Sequence, residues 1–263
     1  MAEMSGPHYV PALRKGLALL ELLAEEGPMT LAQVERASGL NRTMSYRLLR
    51  VMGELGYIEH DPTRHQYELG LRVLGLGAMA AGRMNLATVA GPFLDAVRAE
   101  TNETVTLGVL AGKQVIYLEM REGPHGSDMA VRFRGRDAAH STSVGKAILA
   151  FLPEEVRETR VASLSPMPSV TPSTIVDAVT LEGDLLRTRE RGYALEDEEN
   201  AVGERGVGVP VLDAQGLPIA ALGIAGPIDR IDLVHADLTA ARLWRASREM
   251  SRQLEHAPAV IAS

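Results

Sequence analysis

The sequence predicts an α+β protein in two unequal parts. Three observations carry this. Apolar residues recur at helical spacing up to about residue 56 and then at a spacing of two; further on, strand-like runs alternate with helix-like ones; and all the net charge falls in the longer part. Residues 1–84 hold nine Lys/Arg and nine Asp/Glu, which leaves eighteen and twenty-five in residues 85–263 and accounts for the formal charge of −7. With 263 residues and 46% apolar composition the chain has core material for one large domain or two modest ones.

Leu13, Leu17, Leu20, Leu23 and Ala24 share a helical face, and Gly27-Pro28 stops the run, so a first helix is expected over about 11–26. Thr30 precedes Leu31-Ala32-Gln33 as an N-cap with Gln at the third helical position, and a short second helix runs to Ser38-Gly39. Asn41 caps a third helix with Met44, Leu48, Val51, Met52 and Leu55 on its apolar side, ended by Gly56. Its other side carries Arg42, Thr43, Tyr46, Arg47 and Arg50, within an acid-free window that also holds Arg36. Tyr57 to His60 and Gln66 to Leu69 flank the turn formers Asp61-Pro62-Thr63-Arg64-His65, a β-hairpin. Three helices with a tight turn before the third, closed by a hairpin, give the element order of a winged helix-turn-helix, expected over 9–70 after a disordered tail of residues 1–8. Residues 71–90, rich in Ala and Gly at their start, read as a pliable linker helix.

The second part is expected over 91–256, with 257–263 as a tail. Val105, Leu107 and Val109 alternate with Thr104, Thr106 and Gly108, turn at Ala111-Gly112-Lys113, and return as Val115 to Leu118; a third strand covers Met129 to Phe133. Helices follow near 142–151, 153–162 and 176–191, then strands at about Val207–Leu212 and Ile219–Ile224 around the turn Asp213 to Gly216. A last helix over about 233–255 is expected to bury Leu233, Ala240, Leu243, Met250 and Leu254. Hairpins interleaved with helices imply a largely antiparallel sheet.

Several classes of chemistry fall away. Without cysteine there are no disulfides, cysteine zinc sites, iron–sulfur clusters or thiol nucleophiles, and the cytoplasm is the expected compartment. Charged residues or Pro interrupt every apolar run short of a membrane span, and no signal-peptide core is visible. GxSxG, HExxH and GxxxxGK[ST] are missing, and Gly75-Leu76-Gly77-Ala78-Met79-Ala80 matches the dinucleotide fingerprint only letter by letter. Ser141 and Lys146 have no identifiable base beside them, and His60 and His65 lack a third metal ligand, so no enzyme, cofactor or metal is expected.

What stands out is the third helix. The major groove accepts one helix, Arg pairs with guanine edges or phosphates, and short polar side chains at the helix start reach bases, roles that fit Arg42, Thr43, Ser45, Tyr46, Arg47 and Arg50, with Arg64 at the hairpin tip. The competing reading is a solvated face, with the winged helix serving protein contacts in a metabolite-binding signalling module. A second cluster, His140-Ser141-Thr142-Ser143-Val144-Gly145-Lys146, is a hydroxyl-rich helix start that either caps itself or offers amides to an anion. A third is the acidic run Glu196 to Glu199 with Asn200, of which one member is expected to turn inward.

On these residues the chain resembles the IclR family of transcriptional regulators. The likeness rests on Ala12 to Leu20, on Ser38-Gly39-Leu40 leading to Tyr46-Arg47-Leu48-Leu49, and on Leu55-Gly56-Tyr57-Ile58 through Tyr67-Glu68-Leu69-Gly70. It continues through Glu103-Thr104-Val105, His140 to Ala147, Arg191-Gly192-Tyr193 to Asn200, and Ala225-Gly226-Pro227. The resemblance implies a repressor or activator that binds double-stranded operator DNA as a homo-oligomer, commonly a dimer of dimers, without enzyme activity. Its C-terminal domain would be GAF/PAS-like (profilin-like) and bind a small-molecule effector. Carried over position by position, the effector pocket would use Met129, Ser141, Ser143, Val144, Glu196, Gly206, Gly223 and Ala225. Members that bind small oxo-acids usually have Asp at the place of Glu196, a small polar residue at Gly206 and Ser at Gly223 and Ala225. The losses here imply an enlarged, drier wall and a bulkier effector such as an aromatic acid. Met44-Ser45 replaces a common Thr-Val pair, so the operator sequence does not carry over.

Overall fold

A computed structural model describes residues 10–84, 86–124 and 136–256. The chain divides into two compact units, Met1–Ala81 and Gly82–Ser263. The expected tails, the strand at Met129 to Phe133 and Met129 itself lie outside the described residues.

In the first unit α1 (Pro11–Glu26), α2 (Leu31–Ser38) and α3 (Arg42–Glu54) precede the hairpin β2 (Ile58–Asp61) and β3 (Gln66–Leu69). A two-residue strand β1 (Met29–Thr30), which the sequence did not suggest, pairs with β3 and makes the wing three-stranded. Thr30 and Gln33 form a complete capping box on α2, and the Asn41 side chain accepts from the Met44 amide at the start of α3. Gly39, in the left-handed region at φ 69°, closes α2 and makes the tight turn into α3.

The core of this unit is Leu19, Leu23, Met29, Val34, Leu49, Met52 and Ile58. Two helices are therefore rotated from the expected phase. In α1 the buried positions are Gly16, Leu19 and Leu23, whereas Leu13 and Leu17 stand more than half exposed. In α3 they are Ser45, Leu49 and Met52, whereas Val51 and Leu55 are exposed. Gly16 explains the choice: without a side chain it admits Met52 and Leu48 to within 4 Å of where its Cβ would stand, drawing α3 onto that side of α1.

Two helices, α4 (Leu71–Met84) and α5 (Leu86–Thr101), occupy the span expected to be one linker helix, and the second continues well past residue 90. Gly75 to Ala80 lie within α4, so the fingerprint letters have no strand-turn-helix around them.

The second unit is built on a six-stranded antiparallel sheet among the described residues: β4 (Thr104–Ala111), β5 (Gln114–Arg121), β6 (Arg136–Ala138), β7 (Ala194–Asp197), β8 (Glu204–Leu212) and β9 (Pro218–Pro227), in the order β6-β5-β4-β9-β8-β7. Strands β6 and β7 are additions to the expected set, and β7 carries the start of the acidic run read as a loop. One face buries Val105, Leu107, Val207, Val209, Leu222 and Ile224 against α5 and α9 (Ala236–His256). Helix α9 starts three residues later than expected, so Leu233 packs from outside it, and Ala236, Ala246 and Ser247 join its buried stripe. The other face carries α6 (Ser143–Phe151), flanked by α7 (Glu154–Ser163) and α8 (Ala178–Arg191), around Val144, Ile148, Val161, Leu181 and Leu185. The sheet is thus a middle layer, and alternation along β4, β8 and β9 sends every second residue toward α6.

Candidate functional site

Register aligns one row of residues across four strands: Thr104 opposite Ala225, Ala225 opposite Gly206, and Gly206 opposite Glu196. A second row runs Met120, Thr106, Gly223, Gly208 and Ala194. On this face the start of α6 comes down on glycines. A Cβ at Gly208 would lie 2.5 Å from the Ser143 carbonyl oxygen, and one at Gly223 2.6 Å from Val144 Cγ2. One at Gly206 would lie 2.8 Å from Ser143 Oγ and 2.9 Å from Glu196 Oε2. These contacts correct the expectation of an enlarged wall: the glycines at 206 and 223 give close approach of the helix, and add no room.

Beside this contact is a cavity of about 240 Å³. Of the expected effector residues, Ser143, Val144, Glu196, Gly223 and Ala225 line it. Gly206 lies beneath Ser143 and Glu196. Ser141 stands behind the wall, fully buried, its hydroxyl donating to Asn200 Oδ1 at 3.0 Å, so it positions a lining residue and is not one. Nor is the wall dry, as Thr104, Thr106, Tyr117, Asp137, Thr142 and Asn200 also line it. Sequence reasoning missed these, although the alternation of Thr104 and Thr106 with the apolar Val105 and Leu107 already put both threonines on the face away from the core.

Thr142 caps α6, accepting from the Gly145 amide at 3.0 Å, which leaves the earliest amides of the helix without intrahelical acceptors and favours an anion near Ser143 and Val144. Among the described residues no Lys or Arg lines the cavity. Of its ionisable groups, Glu196, Asp137 and Tyr117 are held toward their neutral forms. Burial pushes Glu196 up to about 8, its partial relief coming from the Asn200 amide. Burial also raises Asp137, and burial together with Asp137 raises Tyr117, whose hydroxyl donates to Asp137 Oδ2 at 3.0 Å.

Behind the cavity, Lys146 on α6 is 1% exposed, with Nζ 2.5 Å from Glu199 Oε1 and 3.1 Å from Asp184 Oδ2. Two members of the acidic run therefore turn inward, Glu196 at 5% and Glu199 at 7% exposure, where one was expected. Lys146 is the reason: a buried ammonium needs a partner, and Glu199 supplies it, fixing the loop that carries Asn200.

In the first unit Arg42, Thr43, Tyr46, Arg47 and Arg50 are exposed along α3, with Arg64 exposed in the hairpin turn. Arg42 lies 3.7 Å from Glu35, Arg50 3.4 Å from Glu54 and Arg64 3.8 Å from Asp61, long pairs whose guanidinium groups stand exposed and can turn to a stronger anion. Arg47 makes no ion pair among the described residues. Ser45 is the exception to the expected surface. It is fully buried, its hydroxyl without a partner among the described residues, because it sits four residues before Leu49 on the face turned to the core.

An exposed, arginine-bearing third helix with a wing, followed by a sheet domain with a polar cavity, defines a ligand-responsive DNA-binding regulator. Residues 78–252 match the family model of the bacterial transcriptional regulator IclR C-terminal domain, and residues 12–62 match the IclR helix-turn-helix domain. The chain is 31% identical to the transcriptional repressor IclR of Escherichia coli over 92% of its length and 89% of that protein. It is 33% identical to the p-hydroxybenzoate hydroxylase transcriptional activator of Acinetobacter baylyi, over 87% and 86% of the two chains. Among solved structures, an IclR homolog from Microbacterium hydrocarbonoxydans complexed with 4-hydroxybenzoate is 25% identical, with a TM-score of 0.70 over 94% of this chain and all of that one. The chain belongs to the IclR family and is a DNA-binding transcriptional regulator. No helix among the described residues is long and apolar enough to cross a membrane.

Proposed function

We propose that the exposed face of α3, through Arg42, Thr43, Tyr46, Arg47 and Arg50 with Arg64 from the wing, reads operator DNA, and that an aromatic carboxylate in the cavity between α6 and the sheet sets its affinity. The observation that carries the effector reading is the pairing of a helix start, which favours the carboxylate, with hydroxyl and carboxyl groups on the same wall that take a ring hydroxyl. Two relatives associated by name with hydroxybenzoate support it. The effector binds two arrangements of the protein unequally and so shifts their populations. The protein acts in the cytoplasm as a homo-oligomer, a dimer of dimers, without catalysing a reaction, with 9–70 and 91–256 as its two working domains.

Fluorescence anisotropy with the DNA upstream of its own coding region, with and without 4-hydroxybenzoate, tests the reading. The expected result is a steep fall of affinity with salt and a shift on adding the acid. Arg42→Ala and Arg47→Ala should each make the salt slope shallower, by about one unit for every phosphate the missing guanidinium would have neutralised. Binding indifferent to salt would favour a protein-contact role for the winged helix.

A further inference from the structure

Glu196 is the odd member of the cavity wall. Its Oε1 accepts from the Asn200 amide at 3.2 Å, while Oε2 has no hydrogen-bond partner among the described residues and lies on the side of Ser143 and Gly206. It is 5% exposed and makes no ion pair among the described residues. The groups around it come from every neighbouring element: Tyr117 on β5, Asp137 on β6, Lys146 on α6, Glu199 in the loop after β7, and Glu204 on β8, while β4 and β9 present the uncharged Thr104, Thr106, Gly223, Ile224 and Ala225. Lys146, the one cation of the set, is already engaged by Glu199 and Asp184. A ligand carboxylate placed at the start of α6 therefore meets a second, buried carboxyl, with no cation among the described residues between them. Two anions at such range are not tolerated together, and one proton shared between them converts the repulsion into a charge-assisted hydrogen bond.

We propose that the cavity takes up its carboxylate ligand together with a proton from solvent, which resides on Glu196 and is donated to the ligand. Glu196 is then the residue that makes this regulator's effector response depend on pH. The inference rests on the carboxylate reading above. Burial, offset in part by the Asn200 amide and Lys146, already holds the carboxyl at about 8, and a ligand anion raises it further, so the affinity falls as pH passes upward through that value. With full protonation in the complex, binding at about pH 8.5 is roughly fourfold weaker than at about pH 6.5, and takes up about three-quarters of a proton per ligand against almost none.

The test is titration calorimetry of the full chain with 4-hydroxybenzoate from about pH 6.5 to about pH 8.5, a window in which its carboxyl stays ionised, repeated in buffers of different ionisation enthalpy. The wild type should show the fourfold loss and the proton uptake, and Glu196→Gln should lose both slopes whatever its affinity at the lower pH. A flat wild-type profile with binding intact overturns the inference and leaves the carboxylate reading standing. An equal slope in wild type and Glu196→Gln also overturns it, moving the proton to Asp137 or Tyr117. No binding at any pH removes the carboxylate reading and the inference with it.

Discussion

Replacing Lys146 by Met tests whether the buried ion cluster holds the ligand helix to its loop. The ammonium is 1% exposed and contacts two carboxylates, Glu199 and Asp184, which are themselves 10% and 13% exposed as side chains. Removing one partner of a buried pair costs about 3–5 kcal/mol, because the remaining charge is desolvated without compensation. For a unit of this size each kcal/mol shifts Tm by about 2–4 °C, which gives a fall of roughly 6–20 °C. Glu199 is already raised by burial despite Lys146, so in the variant it rises further and takes a proton more easily. The native state of the variant then binds more protons than the unfolded chain, and its deficit shrinks as pH falls toward the ordinary carboxylate range. Differential scanning fluorimetry from about pH 5 to about pH 8 reads both effects. The triple variant Lys146→Met, Asp184→Asn, Glu199→Gln should recover most of the loss, since no buried charge is then stranded in the cluster. A single-variant deficit below about 1 kcal/mol, or one independent of pH, refutes the argument that the cluster is dry and charged.

Three further outcomes are expected. Ser45→Ala should leave operator affinity unchanged and be neutral or stabilising by up to about 1 kcal/mol in urea titration, because it removes a buried hydroxyl with no partner. Gly208→Ala should destabilise by about 1–3 kcal/mol and weaken effector binding, read by the same titration and by calorimetry, since its Cβ would stand 2.5 Å from the Ser143 carbonyl oxygen. For Glu196 the folded pKa of about 8 exceeds the unfolded 4.5, so the native state holds the extra proton between these values and stability falls as pH rises through that window. Glu196→Gln should therefore raise Tm relative to wild type near pH 8 and bring no such gain near pH 4.5, as scanning fluorimetry would show.

Local punctuation was readable from the chain: Thr30 and Asn41 cap the helices they were expected to cap, and the hairpin turns where Asp61 and Pro62 stand. Helix phase was not. In α1, leucines at 13, 17 and 20 and at 19 and 23 offer two overlapping apolar stripes, and the choice falls to the glycine at 16, whose effect appears only when α3 arrives. In α3 the same docking turns Ser45 inward and Val51 outward, which removes a residue from the DNA-facing set. The acidic run hid strand β7 because four carboxyl-bearing residues read as a solvated loop, while pairing with β8 forces Glu196 onto the inner face. The threonines of β4 were visible as an alternation, but only sheet order puts them across from Gly223 and Ala225.

The glycine floor under α6 limits how this chamber can be retailored. At Gly208 an added side chain would run into the backbone of α6, and at Gly206 and Gly223 it would crowd the side chains of Ser143, Glu196 and Val144, so little diversity can be introduced from beneath. Freedom to reshape the binding space is left to Thr104, Thr106, Tyr117 and Met120 along one flank and Val170 on the rim. A library aimed at new inducers should concentrate its diversity on those five positions and hold the three glycines fixed.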